Sequence, residues 1–266
     1  GAAIGVGFVA GPALGGLLSH FGTGPLYQVP FLMAAGFAFV ALFMTTWLKG
    51  VDRDRLTPEQ PGDAGTAVSR LRALMASPLA LYAIASMALN LSFAQVEASF
   101  VLVLRDYLGF GAIETGWLFT YIGVCIIIVQ AVLIKTVVSR FGEVTTTLIG
   151  ASLLALGQIV TVLIVMGLFV GNAYPLVQTF LGTTAICFGF ALSTPAITAA
   201  VSKIAGETMR GGSLGMIQGF GSLGQVIGLS VAGPLYDLGG SQFPFSFGAG
   251  VTLLLVCLVP YLRRPA

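Results

Sequence analysis

Charge is what this chain has least of. Of its 266 residues only 8% are charged and 56% are hydrophobic, and the mean hydropathy is +0.97. A soluble domain is usually about a quarter charged, so a soluble globular fold is excluded and the chain reads as a polytopic membrane protein. Its three cysteines, Cys125, Cys187 and Cys257, all fall in apolar stretches. They read as small hydrophobic side chains rather than as a disulfide or metal framework. The lone histidine, His20, has no second His or Cys nearby, so no metal is expected. No P-loop is present, and no Ser/His or paired-Asp arrangement falls inside an apolar span. Both absences oppose an ATP-driven pump or a membrane protease, and neither enzymatic activity nor a cofactor is expected. The net charge of +2 comes from basic residues scattered between spans, which gives no surface for nucleic acid. No basic stretch precedes the first span, so that span is not a signal peptide, and the chain is expected to be a piece of a longer one.

What is abundant is long apolar runs. They fall at roughly 2–20, 27–48, 78–104, 115–137, 146–168, 175–200, 211–236 and 245–262. Each is near the ~20 residues that cross a bilayer as a helix, so eight transmembrane helices are expected. Alternate links carry eleven of the twelve Lys and Arg residues: Lys49, Arg53, Arg55, Arg70, Arg72, Lys135, Arg140, Lys203, Arg210, Arg263 and Arg264. The opposite links carry only Arg105. The positive-inside rule puts the charged links and the C-terminus in the cytoplasm. Trp47, Tyr82, Trp117, Tyr174, Tyr236 and Tyr261 stand near span ends, as interfacial anchors do. The longest link, 49–77, mixes both charges with Pro58, Pro61 and Gly62 and reads as a solvated connector between two bundles.

The first span carries Gly7-Phe8-Val9-Ala10-Gly11-Pro12-Ala13-Leu14-Gly15-Gly16. Pro12 leaves a carbonyl unpaired, and Gly7, Gly11, Gly15 and Gly16 bare the backbone for close helix approach. This G-x-x-x-G-P-x-x-G-G pattern resembles, position for position, the fifth-helix motif of drug:proton antiporters of the major facilitator superfamily. In that family the motif is associated with exchange and with bending of the helix, so the resemblance implies efflux. It also implies a register. Residues 1–48 would be the last two helices of an N-terminal six-helix bundle, 49–77 the cytoplasmic interdomain loop, and 78–266 the C-terminal six-helix bundle. Eight of twelve helices of an all-α fold would then be present. Gly224, Gly228 and Gly233-Pro234 in the seventh span echo the first, as fifth helices of two parallel repeats would. Lys135-Thr136-Val137-Val138-Ser139-Arg140-Phe141-Gly142-Glu143 resembles a degraded second copy of the family's loop between helices two and three, with Ser139 and Glu143 at positions where the family has other residues. Ala94 to Phe100 resembles the start of the second half in tetracycline-exporter-like members.

Glu97 is the only acidic residue inside a span. A mid-membrane carboxylate is costly and usually faces protein or water, so Glu97 is a candidate proton or substrate site. The alternative is a Glu that reaches interfacial water or caps a neighbouring helix. Asn90 lies two turns earlier on the same face. Gln130, Ser193, Thr194, Gln218 and Gln225 are candidate cavity-lining residues. Gln218 and Gln225 share a face, and either line the cavity or pair between helices. Gln158 is expected to serve interhelical packing. Pro195 should kink the sixth span.

The expected function is proton-coupled efflux of a small amphipathic drug or metabolite by alternating access. The expected partners are the small molecule, protons and the lipid bilayer, with the protein active as a monomer. The resemblance implies a bacterial inner membrane. A proton symporter or uniporter importing a small metabolite is the alternative within transport. A non-transporting scaffold or sensor of the same fold is the alternative outside it.

Overall fold

The computed structural model describes residues 28–47, 77–168 and 175–263, with the isolated helical positions Gly11, Leu14 and Leu18. Gly7, Pro12, Gly15 and Gly16 of the glycine-proline motif, His20, and the connector up to residue 76 lie outside the described residues. A Cβ at Gly11 would meet nothing within 4 Å among them.

The described chain is helical and contains no strand. Helix α1 spans Gln28–Trp47 and α2 spans Leu79–Leu108. Helix α3, Ala112–Ile128, runs through a π-helical turn at Val129–Leu133 into α4, Ile134–Val165. Then come α5, Pro175–Ile204, α6, Gly206–Gly239, and α7, Gln242–Leu258, which ends in a 3₁₀ turn at Val259–Arg263. The seven apolar spans expected within the described residues fall in six helices long and apolar enough to cross a membrane.

The link expected between 137 and 146 takes a different form. Ala112–Val165 is one 54-residue helical run, interrupted only by Gly142 at φ 76° and ψ 169°. A straight helix of that length would be about 80 Å long, more than twice the ~30 Å apolar thickness of a bilayer. Gly142 is where the chain changes from one span to the next, and only glycine adopts that backbone cheaply. The residues on either side remain helical. The next residue, Glu143, forms an ion pair with Lys203 at the end of α5. At the opposite end of the helices, Gly109 (φ 64°) closes α2 by donating to Arg105 O at 3.0 Å. The Glu114 carboxylate accepts from Gly111 N–H at 3.0 Å and starts α3. Tyr236 of α6 donates to the Asp106 carboxylate of α2, which also takes Arg105 Nε at 2.8 Å.

Two helix pairs form the framework. In the first, α4 meets α5 through glycines: a Cβ at Gly157 would lie 2.7 Å from Gly182 O, and one at Gly150 would lie 2.7 Å from Gly189 O. In the second, α6 meets α2: a Cβ at Gly228 would lie 2.6 Å from Leu91 O, and Gly224 rests on the Met87 backbone. No side chain fits at these positions, so the backbones touch. Helix α7 joins the pairs through a buried polar knot. Gln158 Nε2 of α4 donates to Ser92 O and Oγ of α2 at 3.1 and 3.0 Å. Ser92 Oγ reaches Gly248 O at 2.9 Å and Thr252 Oγ1 at 2.5 Å on α7. Gln158, Ser92 and Thr252 are all fully buried. Gln158 thus has the interhelical role expected of it. All three cysteines are free thiols, with Cys125 and Cys187 buried and Cys257 exposed.

Gly157→Ala is expected to destabilise the fold by about 1–3 kcal/mol through overpacking against backbone. Gly250→Ala, where a Cβ would meet nothing within 4 Å, is expected to be neutral or slightly stabilising. Thermal unfolding of the detergent-solubilised protein compares the two. In the same assay Gln158→Leu should cost about 0.6–2 kcal/mol, the range of interhelical polar contacts in membranes.

Candidate functional site

Where α2, α5 and α6 face one another a space is left, lined by polar side chains together with Leu89, Ile197, Leu214 and Ile217. A cavity of about 260 Å³ there is lined by Asn90 and Ser86 of α2, Thr194 and Thr198 of α5, and Gln218 and Gln225 of α6. Four of the residues singled out in the sequence, Asn90, Thr194, Gln218 and Gln225, therefore come together. Helical period explains it: Gln218 and Gln225 are two turns apart, and Gly221 between them removes the side chain that would fill the space. A Cβ at Gly221 would lie 3.0 Å from Asn90 Nδ2. That amide nitrogen donates to Ser86 O of its own helix at 2.8 Å.

Glu97 lies beside this cavity but lines a second one, of about 170 Å³, between α2, α3 and α5. Apart from Thr183 its other walls are apolar, among them Phe93, Phe100, Phe119, Ile122, Ile186 and Cys187. Ring contacts hold these walls. Phe93 stacks on Phe190 with centroids 3.9 Å apart, and Phe100 meets Phe119 edge-on at 6.3 Å. Gln225 joins the two cavities, since it lines the polar one and its Nε2 donates to Glu97 Oε2 at 3.0 Å. Asn90 and Glu97 share a face of α2, yet they open into different spaces.

Two expected lining residues are elsewhere. Ser193 is fully buried and turned toward α4, with Oγ bonded to Gly189 O at 2.9 Å and Thr147 O at 3.4 Å. Its neighbour Thr194, about 100° further round the helix, takes the cavity position instead. Gln130 sits in the π-helical turn, lines neither cavity, and keeps its Oε1 buried without a hydrogen-bond partner. Pro195 is accommodated within α5, which runs unbroken to Ile204.

Sequence reasoning missed Gln95 and Thr183. Gln95 is fully buried, its Nε2 donating to Gly228 O at 2.8 Å where α6 crosses α2. Thr183 lines the aromatic cavity. An internal amide in an apolar helix is a visible signal for the first; nothing in the sequence separates Thr183 from the other threonines of α5. Among the described residues no His, Cys, Asp or Glu cluster that would hold a metal occurs, and no Lys, Arg or His lines either cavity.

The chain is similar to proteins of known class along its whole length. It is 30% identical over 269 residues to Multidrug resistance protein 1 of Bacillus subtilis (strain 168), covering 100% of this chain and 64% of that protein. It is 28% identical over 265 residues to Multidrug resistance protein 2 of the same organism, covering 95% of this chain and 60% of that protein. The chain thus spans less than two thirds of the length of either relative. Among solved structures, the crystal structure of the human organic anion transporter MFSD10 (TETRAN) superposes with a TM-score of 0.59 at 21% identity, over 75% of this chain and 43% of that one. That likeness shows the fold. The sequence model described as Major Facilitator Superfamily matches residues 1–188, more than half the chain. This protein is therefore a polytopic membrane protein of the major facilitator superfamily of transporters.

Proposed function

We propose that the protein is a proton-coupled exporter of small amphipathic molecules, working by alternating access. The observation that carries the reading is the Gln225–Glu97 hydrogen bond of 3.0 Å between a polar and an aromatic cavity. A carboxyl group in a membrane interior is costly unless it is paired or protonated. Here one amide donor meets it, and a proton or a donor group on a substrate would compete for the same oxygens. Such competition is what couples proton entry to substrate exit. The Bacillus relatives, both named multidrug resistance proteins, support the direction of transport. The lining chemistry bears on charge: one acid and no base among the described lining residues favours neutral or cationic substrates over anions.

In this reading residues 78–266 form the C-terminal six-helix bundle, 49–77 the interdomain loop, and 1–48 two helices of the other bundle. The motif at Gly7, Gly11, Pro12, Gly15 and Gly16 governs bending of its helix. The asymmetry of Lys and Arg between links places the C-terminus in the cytoplasm, and the Bacillus relatives favour a bacterial plasma membrane. The protein acts as a monomer on its substrate and on protons.

The test uses the full-length protein in everted vesicles holding a pH-sensitive dye. After the interior is acidified, a panel of amphipathic drugs including tetracyclines is added. Drug-dependent proton release is expected, and Glu97→Gln should abolish it at normal expression. Release that survives in Glu97→Gln removes this carboxyl from the mechanism, and silence with every compound removes antiport. Gln225→Leu should lower the rate by roughly 2–10-fold, the effect of one hydrogen bond.

A further inference from the structure

Helix α5 is rich in threonine, and its threonines follow a rule with one exception. Thr179, Thr184, Thr194 and Thr198 each donate their hydroxyl to the carbonyl four residues earlier, at 2.8, 2.6, 3.1 and 3.0 Å. This is the ordinary solution for a hydroxyl on an apolar helix. Thr183 does not adopt it. Its side chain is 2% exposed, its Oγ1 is buried without a hydrogen-bond partner, and it lines the aromatic cavity that also holds Glu97. Its neighbour Thr184 is bonded twice, to Phe180 O and to the Tyr121 hydroxyl at 2.6 Å. Among the threonines of α5 the unpaired hydroxyl thus falls on the one that lines this cavity, whereas the other buried oxygens without a partner, Gln95 Oε1 and Gln130 Oε1, belong to residues that line neither cavity. A buried hydroxyl left unpaired costs free energy, and a partner supplied from outside the chain is one way to recover it.

The cavity limits what that partner is. At about 170 Å³ it is close to the roughly 150 Å³ of an engineered apolar cavity that accepts benzene. One aromatic ring with a short substituent fits between Phe93, Phe100 and Phe119. We propose that Thr183 is a specificity-determining residue whose hydroxyl bonds a polar ring substituent of a compact aromatic substrate, the substrate's other polar group facing Glu97. This rests on the reading of the protein as a transporter and names a substrate class for it.

The test is binding, which needs no proton gradient. Tyramine and phenethylamine differ by one ring hydroxyl, and both are titrated calorimetrically into the purified full-length protein. Tyramine is expected to bind about five- to tenfold more tightly, the effect of one hydrogen bond. Thr183→Val should bring tyramine down to the level of phenethylamine and leave phenethylamine unchanged, whereas Thr183→Ser should keep the preference. Thr183→Val removes an unpaired hydroxyl at constant volume, so its thermal unfolding should be no lower than that of the parent. If it does unfold, the Thr183→Ser and Thr183→Ala pair carries the same comparison. A preference that survives loss of the hydroxyl overturns the proposal, as does failure of both amines to bind. Tyramine binding that depends on Thr183 but moves no protons would overturn antiport and leave this assignment standing.

Discussion

Contact between helix backbones is the constraint on which the rest of this structure depends. In lipid, burying an apolar side chain against another helix gains little, because the hydrocarbon around it is equally apolar. Close approach and interhelical hydrogen bonds must hold the helices instead. The chain meets this with glycine at the crossings: Gly150, Gly157, Gly182 and Gly189 between α4 and α5, and Gly221, Gly224 and Gly228 between α2 and α6. The Ser92–Gln158–Thr252 knot then fixes α7 against both pairs. Each of these groups has its partner on another helix, so register is set along with distance.

The cavities follow from that framework. The backbone contacts lie within each pair, and space is left where one pair faces the other. It lies between α2, α5 and α6 on one side and between α2, α3 and α5 on the other. Helix α2 borders both and α6 borders the polar one, which is why a hydrogen bond between these two helices, Gln225 to Glu97, lies at the boundary. The Gly228 contact with Leu91 and the Gln95 bond to Gly228 O hold the same crossing one turn away.

Much of the fold was legible because the signal for a membrane helix is coarse. Twenty apolar residues without charge need no tertiary information to be read. Glu97 stood out for the same reason, as a charge where charge is costly. The two-turn spacing of Gln218 and Gln225 placed them on one face, and the structure puts both in one cavity. Legibility failed where the answer depends on which neighbour a face meets. Ser193 and Thr194 are adjacent and chemically alike, yet one is sealed against α4 and the other opens into the cavity. Gly142 read as part of a link, but helix continues on both sides of it. Thr183 is distinguished only by a bond it does not make, and no sequence pattern records that.

The pairing of Glu97 with a single amide is better understood as a compromise than as an optimum. A carboxylate has room for several donors, and here Gln225 Nε2 meets it at 3.0 Å. Full satisfaction of the carboxylate by the protein would hold it in one state and leave nothing for a ligand to add. One donor from Gln225 meets the group at the edge of a cavity that Glu97 lines, and in the proposed reading a substrate or a proton takes up the remaining oxygen capacity. A transporter needs its site to be incomplete when empty, because a site complete in itself gives no differential affinity between the states it must alternate between.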